Sequence, residues 1–250
     1  MLNKVPEVTL FFWIIKIMAT TVGETAADFL NVHLNLGLTG TAMAMGVLLV
    51  AFLVAQMTAR KYAPWIYWMT VVLLSIFGTL LTDNLVDGFG VPLQTTTVVF
   101  GVALAATFAA WYASERTLSI HTITTTRREL FYWAAILFTF ALGTAAGDLA
   151  AEGMHLGYAT AALIYGGLIA AVTVAYYVFK ANAIAAFWIA YVLTRPFGAS
   201  CGDLLSQPLS NGGLGLGTVS TSMVFLVIIL GLVAYMTVRQ KAVSTPPKRR

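Results

Sequence analysis

Apolar residues run along the chain in eight stretches, at about 8–30, 40–58, 64–83, 94–113, 130–149, 158–179, 183–204 and 218–238. A helix rising 1.5 Å per residue needs about 20 mostly apolar residues to cross roughly 30 Å of hydrocarbon, and each stretch is about that long. The fold class predicted is therefore all-α, a polytopic integral membrane protein of eight transmembrane helices. A single transmembrane domain is expected over 1–240, with a basic tail at 241–250. The connections are short, which predicts that neighbouring helices pack antiparallel as hairpins.

The pattern repeats four times. The odd-numbered stretches open on an aromatic residue and a tryptophan: Phe12-Trp13, Tyr67-Trp68, Tyr132-Trp133 and Phe187-Trp188. Ten residues after each tryptophan stands a glycine (Gly23, Gly78, Gly143, Gly198), and five further on an aspartate (Asp28, Asp83, Asp148, Asp203). Only 10 acidic residues occur in the chain, so four in one register are not an accident. The repeats cover about 8–58, 64–113, 130–179 and 183–238. Each holds two helices, which preserves orientation, so the copies are parallel and related by an axis along the membrane normal. Fifteen residues from tryptophan to aspartate is about 22 Å of helix, which sets all four aspartates at one depth in the outer half of the bilayer and the glycines near its midplane.

Composition agrees with a membrane class. Hydrophobic residues make up 59% of the 250 and charged residues 10%, with a mean hydropathy of +0.85. A water-soluble domain carries about a quarter charged residues. The net charge of +4 does not point to nucleic acid, because the basic residues lie in short loops. Lys4, Arg60, Lys61, Arg116, Arg127, Arg128, Lys180, Arg239, Lys241, Lys248, Arg249 and Arg250 all fall on one side, and the loops around 31–39, 84–93, 150–157 and 205–217 have neither Lys nor Arg. The positive-inside rule then predicts that both termini are cytoplasmic. Lys4 and Glu7 lead straight into an apolar run with no small-residue cleavage site, so no signal peptide is expected. The single cysteine, Cys201, excludes a disulfide framework and any Cys-rich metal site.

The repeat pattern, and above all the opening run Lys4-Val5-Pro6-Glu7-Val8-Thr9-Leu10 through Gly23-Glu24-Thr25-Ala26-Ala27-Asp28, resembles a family of bacterial membrane proteins. These are built from four tandem copies of a two-helix repeat of unknown function, each copy with a tryptophan. The resemblance covers nearly the whole chain apart from the basic tail. It implies the repeat architecture and the bacterial cytoplasmic (inner) membrane, and it implies no activity.

Function is read from the polar residues inside the spans. A charge deep in a membrane helix costs several kcal/mol and marks a functional site by default. Glu24 lies four residues before Asp28, on the same helix face. Five carboxylates (Glu24, Asp28, Asp83, Asp148, Asp203) face only Lys16 and Arg195, a formal −3 that must hold protons, admit water or bind cations. Asn84 and a series of hydroxyls, Thr79 and Thr144 among them, make the surroundings oxygen-rich, as Mg²⁺, Ca²⁺ or Mn²⁺ prefer. Cys201, His33 or His155 would add one softer ligand, which favours Mn²⁺. Arg195 is expected to pair with an acidic residue as a counter-charge, on a helix kinked or locally unwound at Pro196. Simpler roles are expected elsewhere: tryptophans as interfacial anchors, glycines as close-packing points, Lys16 snorkelling to the cytoplasmic face, Asp87 and Glu152 solvated or forming an acidic funnel.

No paired-histidine zinc motif, phosphate loop or soluble nucleotide domain is present, so neither an enzyme nor an ATP-driven pump is expected. The reading is a secondary transporter of a hard divalent cation, proton-coupled and directed to efflux, with no tightly bound cofactor. Its partners are the metal, protons and membrane lipids, and a homo-oligomer is compatible with it. The alternatives are an organic-cation transporter, or a non-transporting scaffold or sensor whose polar residues hold the bundle together.

Overall fold

A computed structural model describes residues 3–33 and 36–244. Among these residues there is no strand, and eight long helices follow one another: α1 (Leu10–His33), α2 (Gly37–Thr58), α3 (Pro64–Asp83), α4 (Leu93–Glu115), α5 (Thr126–Asp148), α6 (Tyr158–Tyr177), α7 (Ala183–Ser206) and α8 (Thr218–Ser244). All eight are long and apolar enough to cross a membrane. Local chemistry sets several starts. Pro64 opens α3, where a missing N–H costs nothing. The side chains of Thr125 and Asn182 accept backbone N–H bonds at the starts of α5 and α7. π-Helical turns extend α3 over Asn84–Gly88 and α5 over Leu149–Gly153, at matching places in the second and third repeats.

The odd helices form the core and the even ones the rim. In the apolar window of α3, 72% of residues are buried, against 11% in α2. Along the middle of α2 the exposed side chains, including Met43, Val47, Val50 and Val54, are apolar, as are Val224, Val227 and Leu230 of α8. A rim of this kind suits hydrocarbon and not water.

α1, α3, α5 and α7 close into a ring, α1 packing on α3, α3 on α5, α5 on α7 and α7 on α1. The repeat glycines make this possible. A Cβ on Gly23 would lie 2.5 Å from Ser75 Cβ, on Gly78 2.8 Å from Phe140 Cβ, on Gly143 2.5 Å from Arg195 Cβ, and on Gly198 2.7 Å from Thr20 Cβ. Ser75, Phe140, Arg195 and Thr20 each stand three residues before the glycine of their own repeat. The same contact is thus made four times around a pseudo-fourfold axis.

The tryptophans correct the sequence expectation. Trp68, Trp133 and Trp188 are not interfacial anchors, while Trp13 is half-buried. Each packs on the aromatic residue of the preceding repeat: Trp68 on Phe12 at 5.6 Å between ring centroids, Trp133 on Tyr67 at 5.5 Å, Trp188 on Tyr132 at 6.2 Å, and Trp13 on Phe187 at 5.7 Å. Trp68, Trp133 and Trp188 are buried. The Tyr67 and Tyr132 hydroxyls meet at 2.5 Å. This belt closes the tryptophan end of the bundle.

The expected hairpins are also shifted by one helix. Each outer helix packs mainly on the inner helix that follows it, α2 on α3, α4 on α5 and α6 on α7, while α8 returns to α1. Lys4 is not a loop cation. It is buried, with Nζ donating to Glu129 Oε2 at 2.8 Å and to the Met57 carbonyl at 2.7 Å, which pins the N-terminal segment to the end of α2 and the first turn of α5. α7 continues through Pro196 without unwinding. Of the tail expected at 241–250, α8 runs to Ser244; Lys248, Arg249 and Arg250 lie outside the described residues.

Candidate functional site

Counting from each repeat glycine places the polar side chains in layers. One residue after it stand Glu24, Thr79, Thr144 and Ala199; five residues after it stand the aspartates. These positions are one turn apart on each inner helix and lie toward the end opposite the tryptophans.

Arg195 occupies the slot that holds Thr20, Ser75 and Phe140 in the other repeats. Its stem runs through the gap left by Gly143, whose added Cβ would collide with Arg195 Cγ. The guanidinium then reaches the Glu24 layer of the other three repeats. Nη2 donates to Glu24 Oε2 at 2.9 Å, to Thr144 Oγ1 at 2.8 Å and to Thr79 Oγ1. Nη1 donates to the Thr20 carbonyl at 3.4 Å. The Thr144 hydroxyl donates to the Phe140 carbonyl at 3.3 Å, which leaves its lone pairs for the arginine. The expected pairing of Arg195 with an acidic residue is therefore found, and its partner is Glu24.

Of the five expected carboxylates, three come together. Oxygens of Glu24, Asp148 and Asp203 all lie within 4.8 Å of one another. Hard cations hold oxygen ligands at about 2.0–2.6 Å, so oxygens on opposite sides of one ion are about 4–5 Å apart. Glu24 and Asp203 are buried and Asp148 is half-buried. Asp28 and Asp83, both half-buried, are not members of this group.

Other expectations need correction. Asn84 does not serve the site: its Oδ1 accepts from Thr39 of α2 at 2.8 Å and its Nδ2 donates to the Leu80 carbonyl at 2.7 Å. One residue along a helix turns about 100°, so the neighbour of Asp83 faces another helix. Lys16 does not snorkel. It is fully buried, 4.4 Å from the Phe140 ring centroid and 4.3 Å from that of Tyr191, with Thr194 Oγ1 at 3.3 Å. Neither Cys201 nor His155 joins the acidic group, and the His33 side chain lies outside the described residues. Asp87 and Glu152 are exposed, as expected of solvated residues, and the Tyr158 hydroxyl donates to Glu152 Oε1 at 2.8 Å. Sequence reasoning missed the Lys4–Glu129 pair and the seat of Lys16, neither of which leaves a local signal.

Along the axis, the aromatic belt is followed by Lys16, then Arg195, then the carboxylates. The basic side chains of Lys16 and Arg195 thus lie between the acidic group and the aromatic belt. The Repeat of Unknown Function (DUF347) matches the chain four times, at residues 11–62, 66–117, 131–182 and 186–242. The chain belongs to the DUF347 family. No curated protein and no solved structure gives a significant match. Each DUF347 match spans one inner helix and the outer helix after it, whereas the packed pairs are an outer helix and the inner helix after it. The family's sequence unit and its packing unit are offset by one helix, which interlocks the four copies.

Proposed function

We propose that this DUF347 protein is a secondary transporter of a hard divalent metal cation, proton-coupled and directed to efflux, in the bacterial inner membrane. The observation that carries the reading is the convergence of Glu24, Asp148 and Asp203 within 4.8 Å inside the helix bundle. Three carboxylates at that spacing are costly without a cation or protons, and both are available to a transporter. The ligand set is oxygen only, which favours Mg²⁺, Ca²⁺ and Mn²⁺ over zinc and copper; Mn²⁺ is the first ion to test. Protons and the metal compete for the same oxygens, so a proton gradient can drive the cycle. The basic residues at the tryptophan end support a cytoplasmic position for that end and for both termini, by the positive-inside rule.

The test is the melting temperature of the purified protein titrated with Mg²⁺, Ca²⁺, Mn²⁺, Zn²⁺, Cu²⁺ and a bulky organic cation. A ligand that binds only the folded state raises it with concentration. A rise with one hard metal, absent in Asp148→Asn, and uptake of that metal by inverted proteoliposomes bear the reading out. A rise only with the organic cation supports that alternative. No rise with any ligand leaves the scaffold reading.

A further inference from the structure

Arg195 makes an unusual set of bonds for a buried guanidinium. Nη2 carries two hydrogens but lies against three acceptors, Glu24 Oε2, Thr79 Oγ1 and Thr144 Oγ1. Nε, also buried, has no partner. The head is crowded on one nitrogen and unserved on another, while the stem is locked in the gap beside Gly143. A purely structural arginine would be expected to spread its five donors over the acceptors around it. Here three acceptors crowd one nitrogen, the only charged one among them is Glu24, and Glu24 also belongs to the carboxylate group.

We infer that Arg195 is a tethered competitor of the transported cation: its guanidinium holds Glu24 while cargo is absent, and cargo entering among Glu24, Asp148 and Asp203 displaces it from that carboxylate. The inference rests on the cation-transport reading. In this arrangement Glu24 always has a positive partner, either the arginine or the metal, and is never itself left as a bare buried carboxylate during the cycle. Return of the guanidinium to Glu24 then helps to expel the cargo. The two threonines hold the arginine beside Glu24 and so favour the cargo-free state. The pseudo-symmetry supports this division of roles. The arginine comes from the fourth repeat, and its side-chain acceptors from the first three, all at the position one residue after the glycine. Ala199, at that same position in the fourth repeat, offers no acceptor.

The test is calorimetric titration of Mn²⁺ into the purified full chain and into three variants at fixed pH. Arg195→Gln removes the competitor and is expected to tighten Mn²⁺ binding by about tenfold or more, the scale of one charge-assisted hydrogen bond. Arg195→Lys and Thr144→Val keep the net charge but loosen the grip on Glu24, and each is expected to tighten binding by roughly two- to fivefold. These two variants separate displacement from a general effect of charge, and they remain informative if Arg195→Gln does not fold. Unchanged or weaker binding in both charge-conserving variants overturns the inference and makes Arg195 a support for Glu24. Failure of the unaltered protein to bind Mn²⁺, Mg²⁺ or Ca²⁺ overturns the transport reading itself, and the inference falls with it.

Discussion

The closeness of the inner ring can be tested at Gly143 without substituting a charged residue. An alanine Cβ there would lie 2.5 Å from Arg195 Cβ and 3.0 Å from Pro196 Cδ, whereas ordinary contact starts at 3.4 Å. The deficit is close to 1 Å. Neither neighbour is the free end of a flexible side chain: one is fixed to the α7 backbone and the other is part of a proline ring. α5 and α7 must therefore separate locally. Overpacking on this scale costs about 1–3 kcal/mol. Alanine recovers up to about 1 kcal/mol as a better helix former than glycine, so the comparison has to be made with alanine placed where nothing is near. Gly231 of α8 and Gly167 of α6 meet that condition, since a Cβ at either would have nothing within 4 Å. For a chain of this size, each kcal/mol moves the melting temperature by about 2–4 °C. Gly143→Ala is expected to melt roughly 3–10 °C below Gly231→Ala and Gly167→Ala in the same detergent. If the three variants melt within about 1 °C of one another, the helices do not approach as described, and the route by which Arg195 reaches the carboxylates is wrong.

Three further outcomes follow. Asp148→Asn is expected to abolish metal-induced stabilisation, while Asp87→Asn at the exposed rim retains it; equal effects would show that distributed charge, and not the group of three, holds the ion. Acidification is expected to weaken metal binding, because protons take the oxygens that would ligate it. The apparent dissociation constant should rise by up to about tenfold per pH unit for each proton displaced, and a flat titration between about pH 7.5 and 5.5 would remove the proton from the proposed cycle. Lys4→Met strands the buried Glu129 carboxylate, a loss of about 3–5 kcal/mol by melting, and Glu129→Gln added to it should restore most of that stability; additive losses would mean that the two residues do not form the pair.

The elements were more legible in the sequence than the contacts between them. Hydropathy placed all eight helices, and α3 at 64–83 to the residue. The register of tryptophan, glycine and aspartate identified the inner helices. It could not show that three of the four tryptophans are buried, because a lipid headgroup region and a seam between helices accept the same amphipathic ring. A short loop ties two helix ends together and leaves the rest of each helix free to diverge, so α2 lies on α3 although only three residues separate it from α1. Asn84 was misread because adjacency in sequence is not adjacency on a helix face. Lys16 was misread for another reason: its distance from Trp13 indicates snorkelling only if the tryptophan stands at the interface, and the aromatic belt is packed inside the bundle. Glu24 and Arg195 were identified because a charge in a membrane span has few permitted environments.

The repeat accounts for the scaffold, and departures from it account for the site. All four copies contribute an aspartate, yet the group that forms takes Asp148 and Asp203 from two of them and Glu24 from a third. Glu24 stands where the second and third repeats have threonine, and Arg195 stands where the first and second have threonine and serine. The two departures answer each other, since they remove and restore one charge and meet at 2.9 Å. Reversing both at once, as Glu24→Thr with Arg195→Ser, returns the ring to repeat-like residues without changing its net charge. Removing a complete buried ion pair leaves no unpaired charge, but serine leaves the volume of the arginine stem unfilled, so the double variant is expected to fold and to melt modestly below the parent. Its metal-dependent stabilisation should be lost. A double variant that keeps that stabilisation would place the ion on the aspartates alone, and one that melts far below the parent would make the Glu24–Arg195 pair a structural clasp of the bundle.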